Sequence, residues 1–191
     1  MEEEEKHPKE EVSASKTDQK TLLTKRVATA AIFMAIGLVL SYLNPFAYFT
    51  ILGTKINPFA HFINAITGVL IGLTFSSITA LGIAILRFAL GIGTIHAFHG
   101  GISGALVVGF FAYLLRKRAP DKIEFAALTE PIGTIFIGGT IAYIIAPIGS
   151  IFEGLLFYWG LFALSCIPGC ILGFVMLKIL RKAGITWQDY F

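Results

Sequence analysis

Long apolar stretches separated by short polar gaps dominate the chain. Each stretch is close to the ~20 residues that a helix needs to cross ~30 Å of hydrocarbon. A water-soluble chain of this size has no core that could bury six such helices. The pattern therefore predicts an all-α membrane protein, with six transmembrane helices in a compact bundle. The stretches are Val27–Leu43, Pro58–Leu73, Phe75–Leu90, Gly101–Leu115, Phe125–Ile148 and Gly154–Leu180.

Basic residues are confined to every second gap. Four lie between Lys16 and Arg26, four between Arg116 and Lys122, and three at Lys178, Arg181 and Lys182. The intervening gaps hold only Lys55. Because short loops rich in lysine and arginine stay on the cytoplasmic side, the pattern predicts that both termini are cytoplasmic. Six spans agree with that arrangement.

The composition separates a membrane domain from its flanks. The chain is 55% hydrophobic and 14% charged, with a mean hydropathy of +0.77. We expect residues 1–24 to form a disordered acidic and polar cytoplasmic arm. Residues 25–183 would form the six-helix domain, and residues 184–191 a short cytoplasmic tail. No basic face with interleaved aromatic residues predicts a nucleic-acid partner.

Polar residues near the outer ends of the second and third helices indicate an outward-facing ligand pocket. His61 and Asn64 lie three positions apart, so they share a helix face. Arg87 is costly in a membrane unless it reaches the interface, pairs with an anion or faces a cavity. Two interpretations stay open: Arg87 reaches the outer lipid headgroups, or it orients a ligand together with His61 and Asn64.

The outer loops add further candidates. His96 lies in a glycine-rich loop, and with His61 and His99 it could form a three-imidazole metal site, although no carboxylate or thiolate lies near in sequence. We therefore predict no metal and no cofactor. Tyr158 and Trp159 suit an interfacial aromatic belt or a stacking wall for a planar ligand.

Two further features concern the helices themselves. Glu130 is placed about one turn inside the cytoplasmic end of the fifth helix, where the helix dipole would stabilise a carboxylate. Ala28, Ala31 and Ala35 make one side of the first helix smooth, which permits close approach of another helix. That helix could belong to the bundle or to a separate subunit.

The sequence lacks the motifs of a motor or an enzyme. It contains no phosphate-binding loop, and no nucleophile accompanied by a base and an orienting group. No internal duplication of the kind found in large secondary carriers is evident. Active transport by this protein would thus draw its energy from another subunit, and the protein is not predicted to be an enzyme.

Several segments resemble one family. They are Asn57–Asn64, Gly68–Gly72, Arg87–Phe98, Gly100–Ala105 and Glu130–Thr134, and they are similar to the ThiW type of S component of energy-coupling factor (ECF) transporters.

The resemblance implies a substrate-capture subunit in the cell membrane. Such subunits bind a vitamin or its precursor on the outward side and associate with a transmembrane coupling (T) subunit and ATPase subunits. The ThiW type implies the thiazole precursor of thiamine, hydroxyethylthiazole, as ligand. It also implies docking through the small residues of the first helix, here Ala31 and Ala35, with Ala28 on the same side. The expected ligand-binding residues are His61, Asn64, Arg87, Asn57, His96, Tyr158 and Trp159.

Two other functions remain possible from the sequence. A stand-alone facilitator or channel would line its pore with Arg87 and the histidines. A membrane metalloenzyme would use the histidines as metal ligands, which the sequence supports less well.

Overall fold

A computed structural model describes residues 6–45, 50–51 and 54–191. Within these ranges the chain is helical apart from loops and one pair of two-residue antiparallel strands. The elements in chain order are α1 (Lys6–Tyr42), β1 (Thr50–Ile51), β2 (Thr54–Lys55), α2 (Pro58–Leu70), α3 (Gly72–Ala89), α4 (His96–Arg118), a 3₁₀-helix (Pro120–Thr129), a π-helix (Ile132–Gly138), α5 (Gly139–Ile145), α6 (Ile151–Lys182) and a final 3₁₀-helix (Trp187–Tyr190).

Among the described residues, five segments are long and apolar enough to cross a membrane. They are Asp18–Tyr42, Gly72–Ala89, His96–Arg118, Pro120–Ile145 and Ile151–Lys182. The remaining apolar helix, α2, has 13 residues and is thus about 20 Å long, which is short for a full crossing. An all-helical, multi-pass membrane protein is confirmed, whereas the count of six spans and the position of the termini stay predictions.

The division of the chain differs in two places from the predicted segments. Helix α1 begins at Lys6 and so continues through most of the segment expected to be a disordered arm; the division into arm, membrane domain and tail stays a prediction. Helices α2 and α3 meet at Gly72, whose φ of +80° interrupts the helix. Because glycine adopts this conformation without steric cost, the break falls there rather than after Leu73.

Helix α2 forms the centre of the bundle, and its apolar side chains are the core of the fold. Ile63, Ala65, Ile66 and Val69 are almost fully buried. Neighbouring helices can approach α2 closely because they carry glycines at the contact. A Cβ at Gly173 of α6, for example, would overlap the Cβ of Ala65. A short helix buried on every side places its polar residues inside protein, where they need partners.

Helix α1 packs at the edge of this bundle through one face. Ala30 and Gly37 are buried, and a Cβ at Gly37 would lie 2.5 Å from Ile83 Cδ1 of α3. Ala28, Ala31 and Ala35 lie on the other side of the helix and are exposed. The small residues of α1 therefore form two separate faces, of which only one is used within the chain.

The C-terminal residues cover the turn between α2 and α3. Phe191 lies between two arginines, with the guanidinium carbons of Arg116 and Arg26 at 3.3 and 3.7 Å from its ring centroid. A Cβ at Gly72 would lie 2.8 Å from Phe191 Cζ. Cation–π contacts thus fix the end of the chain against the bundle.

The segment Pro120–Ile145, which we call the fifth span, contains a 3₁₀-helix, a π-helix and an α-helix in succession. Its 3₁₀ part rises about 2.0 Å per residue against about 1.5 Å in an α-helix. It begins at Pro120, five positions before the predicted start at Phe125. Glu130 thus lies well over one turn from the start of the span, although a kink at Lys122 interrupts the 3₁₀ part, so the predicted distance of about one turn is wrong. The side of the membrane on which this end lies stays a prediction.

Candidate functional site

A buried ionisable pair joins α2 to the fifth span. Nδ1 of His61 lies 2.6 Å from Oε1 of Glu130, and the Glu130 side chain is completely buried. Sequence reasoning had assigned these two residues to opposite sides of the membrane. Their contact instead forms the centre of a polar cluster inside the bundle.

Two further side chains complete this cluster, which we call the Glu130 network. The Thr134 hydroxyl lies 2.6 Å from Glu130 Oε1 and 3.0 Å from the Gly100 carbonyl oxygen, so its single proton can be donated to either. The Asn64 amide donates to the Gly101 carbonyl at 2.8 Å and approaches Glu130 Oε1 at 3.4 Å. Groups from α2 and from its own span thus surround Oε1 of Glu130, whereas Oε2 is buried without a hydrogen-bond partner among the described residues.

Glycines create the space that the Glu130 network occupies. A Cβ at Gly104 of α4 would overlap both Glu130 Oε1 and Thr134 Oγ1. A Cβ at Gly133 would overlap the backbone carbonyl of Ser103. Helix α4 and the fifth span thus approach closely enough for backbone carbonyls of α4 to serve as acceptors.

Arg87 lies in the last turn of α3 and is directed into the protein. Only 7% of the residue is exposed, and its side chain has no hydrogen bond or ion pair among the described residues. The chain after α3 folds over it: the backbone N–H groups of Ile92 and Gly93 donate to the Arg87 carbonyl at 3.0 Å. A Cβ at Gly93 would lie 2.9 Å from Arg87 Cβ, so this cover requires a glycine.

A cavity of about 50 Å³ lies between His61 and Arg87. Asn57 borders it from the start of α2; its amide nitrogen donates to Ser41 at 2.9 Å, and its Oδ1 is buried without a hydrogen-bond partner among the described residues. The cavity could hold one or two waters, but it is far smaller than the 300–1,000 Å³ of typical small-molecule sites. It is lined by Asn57, Ala60, His61, Arg87, Gly93, Thr94, His96, Ala97, Gly100, Gly101 and Ser165.

The aromatic candidates lie beside the cavity or away from it. His96 lines it and contacts His99, with Nδ1 and Nε2 of the two rings 2.9 Å apart. The Tyr158 ring lies 5.9 Å from that of His96, while its hydroxyl donates to the Ala146 carbonyl. Trp159 instead packs on the fifth span, where its indole N–H donates to Thr140 at 3.2 Å.

The structure thus brings four of the seven predicted ligand residues to one cavity: Asn57, His61, Arg87 and His96. Asn64 does not line the cavity; its side-chain amide donates a hydrogen bond to the Gly101 carbonyl of α4. Tyr158 supports His96 from outside the cavity, and Trp159 is remote from the cavity lining. Whether any of them binds a ligand stays a prediction.

The histidines do not converge on one point. His61 contacts Glu130, whereas His96 and His99 contact each other. Within the described part of the chain, no group of three or more His, Cys, Asp or Glu residues is arranged to hold a metal ion. The arrangement of these residues is that of a hydrogen-bonding site.

Sequence reasoning missed the place of Glu130 in this site. An ionisable residue inside a span is by default a functional candidate, and Thr134 four positions later shares its helix face. Those two signals could have associated Glu130 with the pocket. The depth of the residue could not be read from the sequence, because it depends on the 3₁₀ winding that precedes it.

Comparison with known proteins gives one match. The family model described as thiamine-precursor transporter protein (ThiW) matches residues 27–183, which include all of α2 to α6 and the candidate site. No curated protein and no solved structure gives a significant match.

Proposed function

Because the chain belongs to the ThiW family of thiamine-precursor transporter proteins, we propose that it is the substrate-capture subunit of an ATP-driven importer. Its ligand would be the thiazole precursor of thiamine, hydroxyethylthiazole, bound from the outward side. The protein is a multi-pass membrane protein of a transporter family, and the proposal adds the ligand, the orientation and the partners.

The observation that carries the proposal is the cavity between α2, α3 and α4. Imidazole, amide and guanidinium groups border it: His61 and Asn57 from α2 and its N-terminal cap, and Arg87 from α3. Small-molecule sites combine a few such polar groups with a hydrophobic surrounding that fixes orientation. A five-membered heterocycle with a short polar arm matches that number of donors and acceptors.

Binding would require the segment between α3 and α4 to move. A thiazole ring is larger than a cavity of about 50 Å³. The segment over Arg87 contains Gly91, at a φ of +68°, and Gly93. Glycines of this kind absorb large backbone changes, and loop movement on ligand binding is common in transporters and enzymes. We therefore assign residues 90–95 the role of a cover.

Two features support the proposed partners: the sequence has no ATP-binding motif, and α1 exposes a face of small residues. The sequence has no phosphate-binding loop, so ATP hydrolysis would come from separate ATPase subunits joined through a coupling (T) subunit. The exposed side of α1 carries Ala28, Ala31 and Ala35. Small residues permit helices to pack closely in lipid, where the burial of apolar surface contributes little to helix association. We propose this side as the docking face.

Ligand binding to the purified full-length protein tests the proposal. Hydroxyethylthiazole, thiamine and the hydroxymethylpyrimidine precursor should be compared by calorimetry at equal concentrations. We expect saturable binding of the thiazole, with the pyrimidine and thiamine much weaker. A stronger response to the pyrimidine would reassign the substrate within the same pathway.

Reconstitution distinguishes the proposal from a stand-alone facilitator. Liposomes that contain only this protein should not accumulate or equilibrate labelled thiazole. Uptake should appear when coupling and ATPase subunits are added with ATP. Equilibration by the protein alone would favour the facilitator, and a chelator-sensitive chemical conversion of the thiazole would favour an enzyme.

A further inference from the structure

Arg87 is a buried cation whose neighbourhood contains no anion. The four ion pairs among the described residues lie elsewhere: one joins His61 and Glu130, and the others connect Lys178 and Arg181 to Asp121 and Glu124. No carboxylate lines the cavity that Arg87 borders. A charge in a membrane-embedded domain is costly unless an opposite charge or water compensates it.

The position of Arg87 does not match an arginine that reaches the lipid headgroups. Its neighbours Leu86 and Phe88 are exposed, whereas Arg87 is only 7% exposed and is covered by Gly93. The lipid-facing side of α3 is therefore a different side from the one that carries the guanidinium. Arg87 is held toward the cavity and away from the surface.

Glu130 cannot act as the missing counter-ion. His61, Thr134 and Asn64 approach its Oε1, while its Oε2 is buried without a hydrogen-bond partner among the described residues. No atom of the carboxylate lies within ion-pair distance of Arg87. The cavity lining therefore combines a guanidinium without a counter-ion and an imidazole that is paired with Glu130. Asn57 also lines the cavity, and its Oδ1 acceptor has no partner within the described ranges.

We propose that the ligand of this site carries an anionic oxygen group, and that Arg87 binds it. The ligand class is a small heterocycle with a phosphate ester or a carboxylate, and the phosphate ester of the thiazole is its simplest member. A guanidinium presents parallel N–H donors that match either group. Asn57 and His61 then contact the uncharged part. The inference rests on the proposed function and specifies the form of the precursor that is captured.

The test compares charged and uncharged forms of one precursor on the full-length protein. Hydroxyethylthiazole, its phosphate ester and the corresponding thiazole carboxylate should be titrated calorimetrically at low and high ionic strength. We expect the phosphate ester to bind at least about tenfold more tightly than the alcohol, which corresponds to about 1.4 kcal/mol. The carboxylate arm shows whether the site prefers one anion over the other.

Variants at Arg87 assign the preference to this residue. Arg87→Gln should remove the difference between phosphate ester and alcohol, while Arg87→Lys should retain part of it because the charge remains. Arg118→Gln is the matched control, since Arg118 is exposed at the opposite end of α4 and should leave the preference intact. Elution volume and thermal unfolding identify any variant that fails to fold, and the wild-type comparison does not depend on the variants.

The outcomes separate this inference from the proposed function. If the alcohol binds as tightly as its phosphate ester, the anionic ligand is wrong while the thiazole function stands. If both thiazoles fail but the phosphorylated pyrimidine binds more tightly than its alcohol, the thiazole assignment is wrong and the anionic ligand stands. Binding of none of these compounds would overturn both.

Discussion

His61 and Glu130, which are 69 positions apart in the chain, meet at 2.6 Å inside the bundle. The contact connects the central helix α2 to the fifth span at the wall of the candidate cavity. A partner on one ring nitrogen fixes the orientation of an imidazole and determines what the other nitrogen can offer. Glu130 thus positions the face of His61 that borders the cavity.

Removing either partner of this pair should destabilise the protein. We expect His61→Ala and Glu130→Ala each to cost about 3–5 kcal/mol if the pair is ionised, because each leaves a buried charge without its partner. The double variant should cost less than the sum of the two single variants. Unfolding free energies measured in detergent provide the cycle, and strictly additive losses would show that the two groups are not coupled.

Gly104 should tolerate no side chain. In Gly104→Ala the added methyl group overlaps Glu130 and Thr134, so we expect a loss of about 1–3 kcal/mol together with weaker ligand binding. Gly160→Ala on α6 is the control, because a Cβ there meets nothing within 4 Å. That variant should be neutral or more stable by up to about 1 kcal/mol, since alanine favours the helix. Equal thermal unfolding of the two variants would contradict the close packing of the network.

Asn57 donates a hydrogen bond to Ser41 and also lines the cavity, and a pair of variants separates these two roles. Asn57→Ala and Ser41→Ala both remove the hydrogen bond between these side chains and should lower the unfolding temperature. Ser41→Ala also removes the bond that its hydroxyl donates to the Gly37 carbonyl, so its loss of stability should be at least as large. Only Asn57→Ala removes the acceptor that borders the cavity. We therefore expect a roughly tenfold loss of affinity in that variant, by analogy with the loss of one buried hydrogen bond. Equal affinities in the two variants would assign Asn57 a purely structural role.

The exposed alanines of α1 should control association with the coupling subunit. Ala31→Leu and Ala35→Leu place bulk on the proposed docking face, so we expect loss of co-purification with the coupling and ATPase subunits. Ligand binding by the isolated protein should be unchanged, because these residues do not line the cavity. Gly160→Leu adds similar bulk to an exposed position of α6 and should leave the complex intact. Retention of the complex in the α1 variants would place the docking face elsewhere.

Much of the helical architecture could be predicted from hydrophobic patterning. The start of α2 at Pro58 follows from the preference of proline for the first turn of a helix. The extra length of α1 could not, because residues 6–24 are polar and offer no apolar face. Patterning locates helices that bury apolar surface, and it says little about a helical segment whose residues are mostly polar.

The candidate site was only partly predictable. His61 and Arg87 are polar residues within apolar stretches, and the cost of placing them there identified them. Which residues surround such a side chain depends on how far along its helix it lies, and that distance depends on the rise per residue of the helix. Glu130 therefore lies deeper in its span than predicted, because the span begins at Pro120 and not at Phe125, and because it is 3₁₀-helical up to Thr129 apart from a kink at Lys122. Trp159 was named for its aromatic ring, but its indole is anchored to Thr140 instead.

The π-helical stretch Ile132–Gly138 gives the fifth span about one residue more than an α-helix of the same angular extent would hold. Deletion of one residue within this stretch can therefore be absorbed by winding it as an α-helix, with Glu130 and Thr140 kept in nearly the same relative orientation. An additional residue has no such compensation: each residue of an α-helix turns the chain by about 100°, so Thr140 would turn away from the Trp159 indole while Glu130 kept its place. Engineering of this segment should therefore tolerate a deletion better than an insertion.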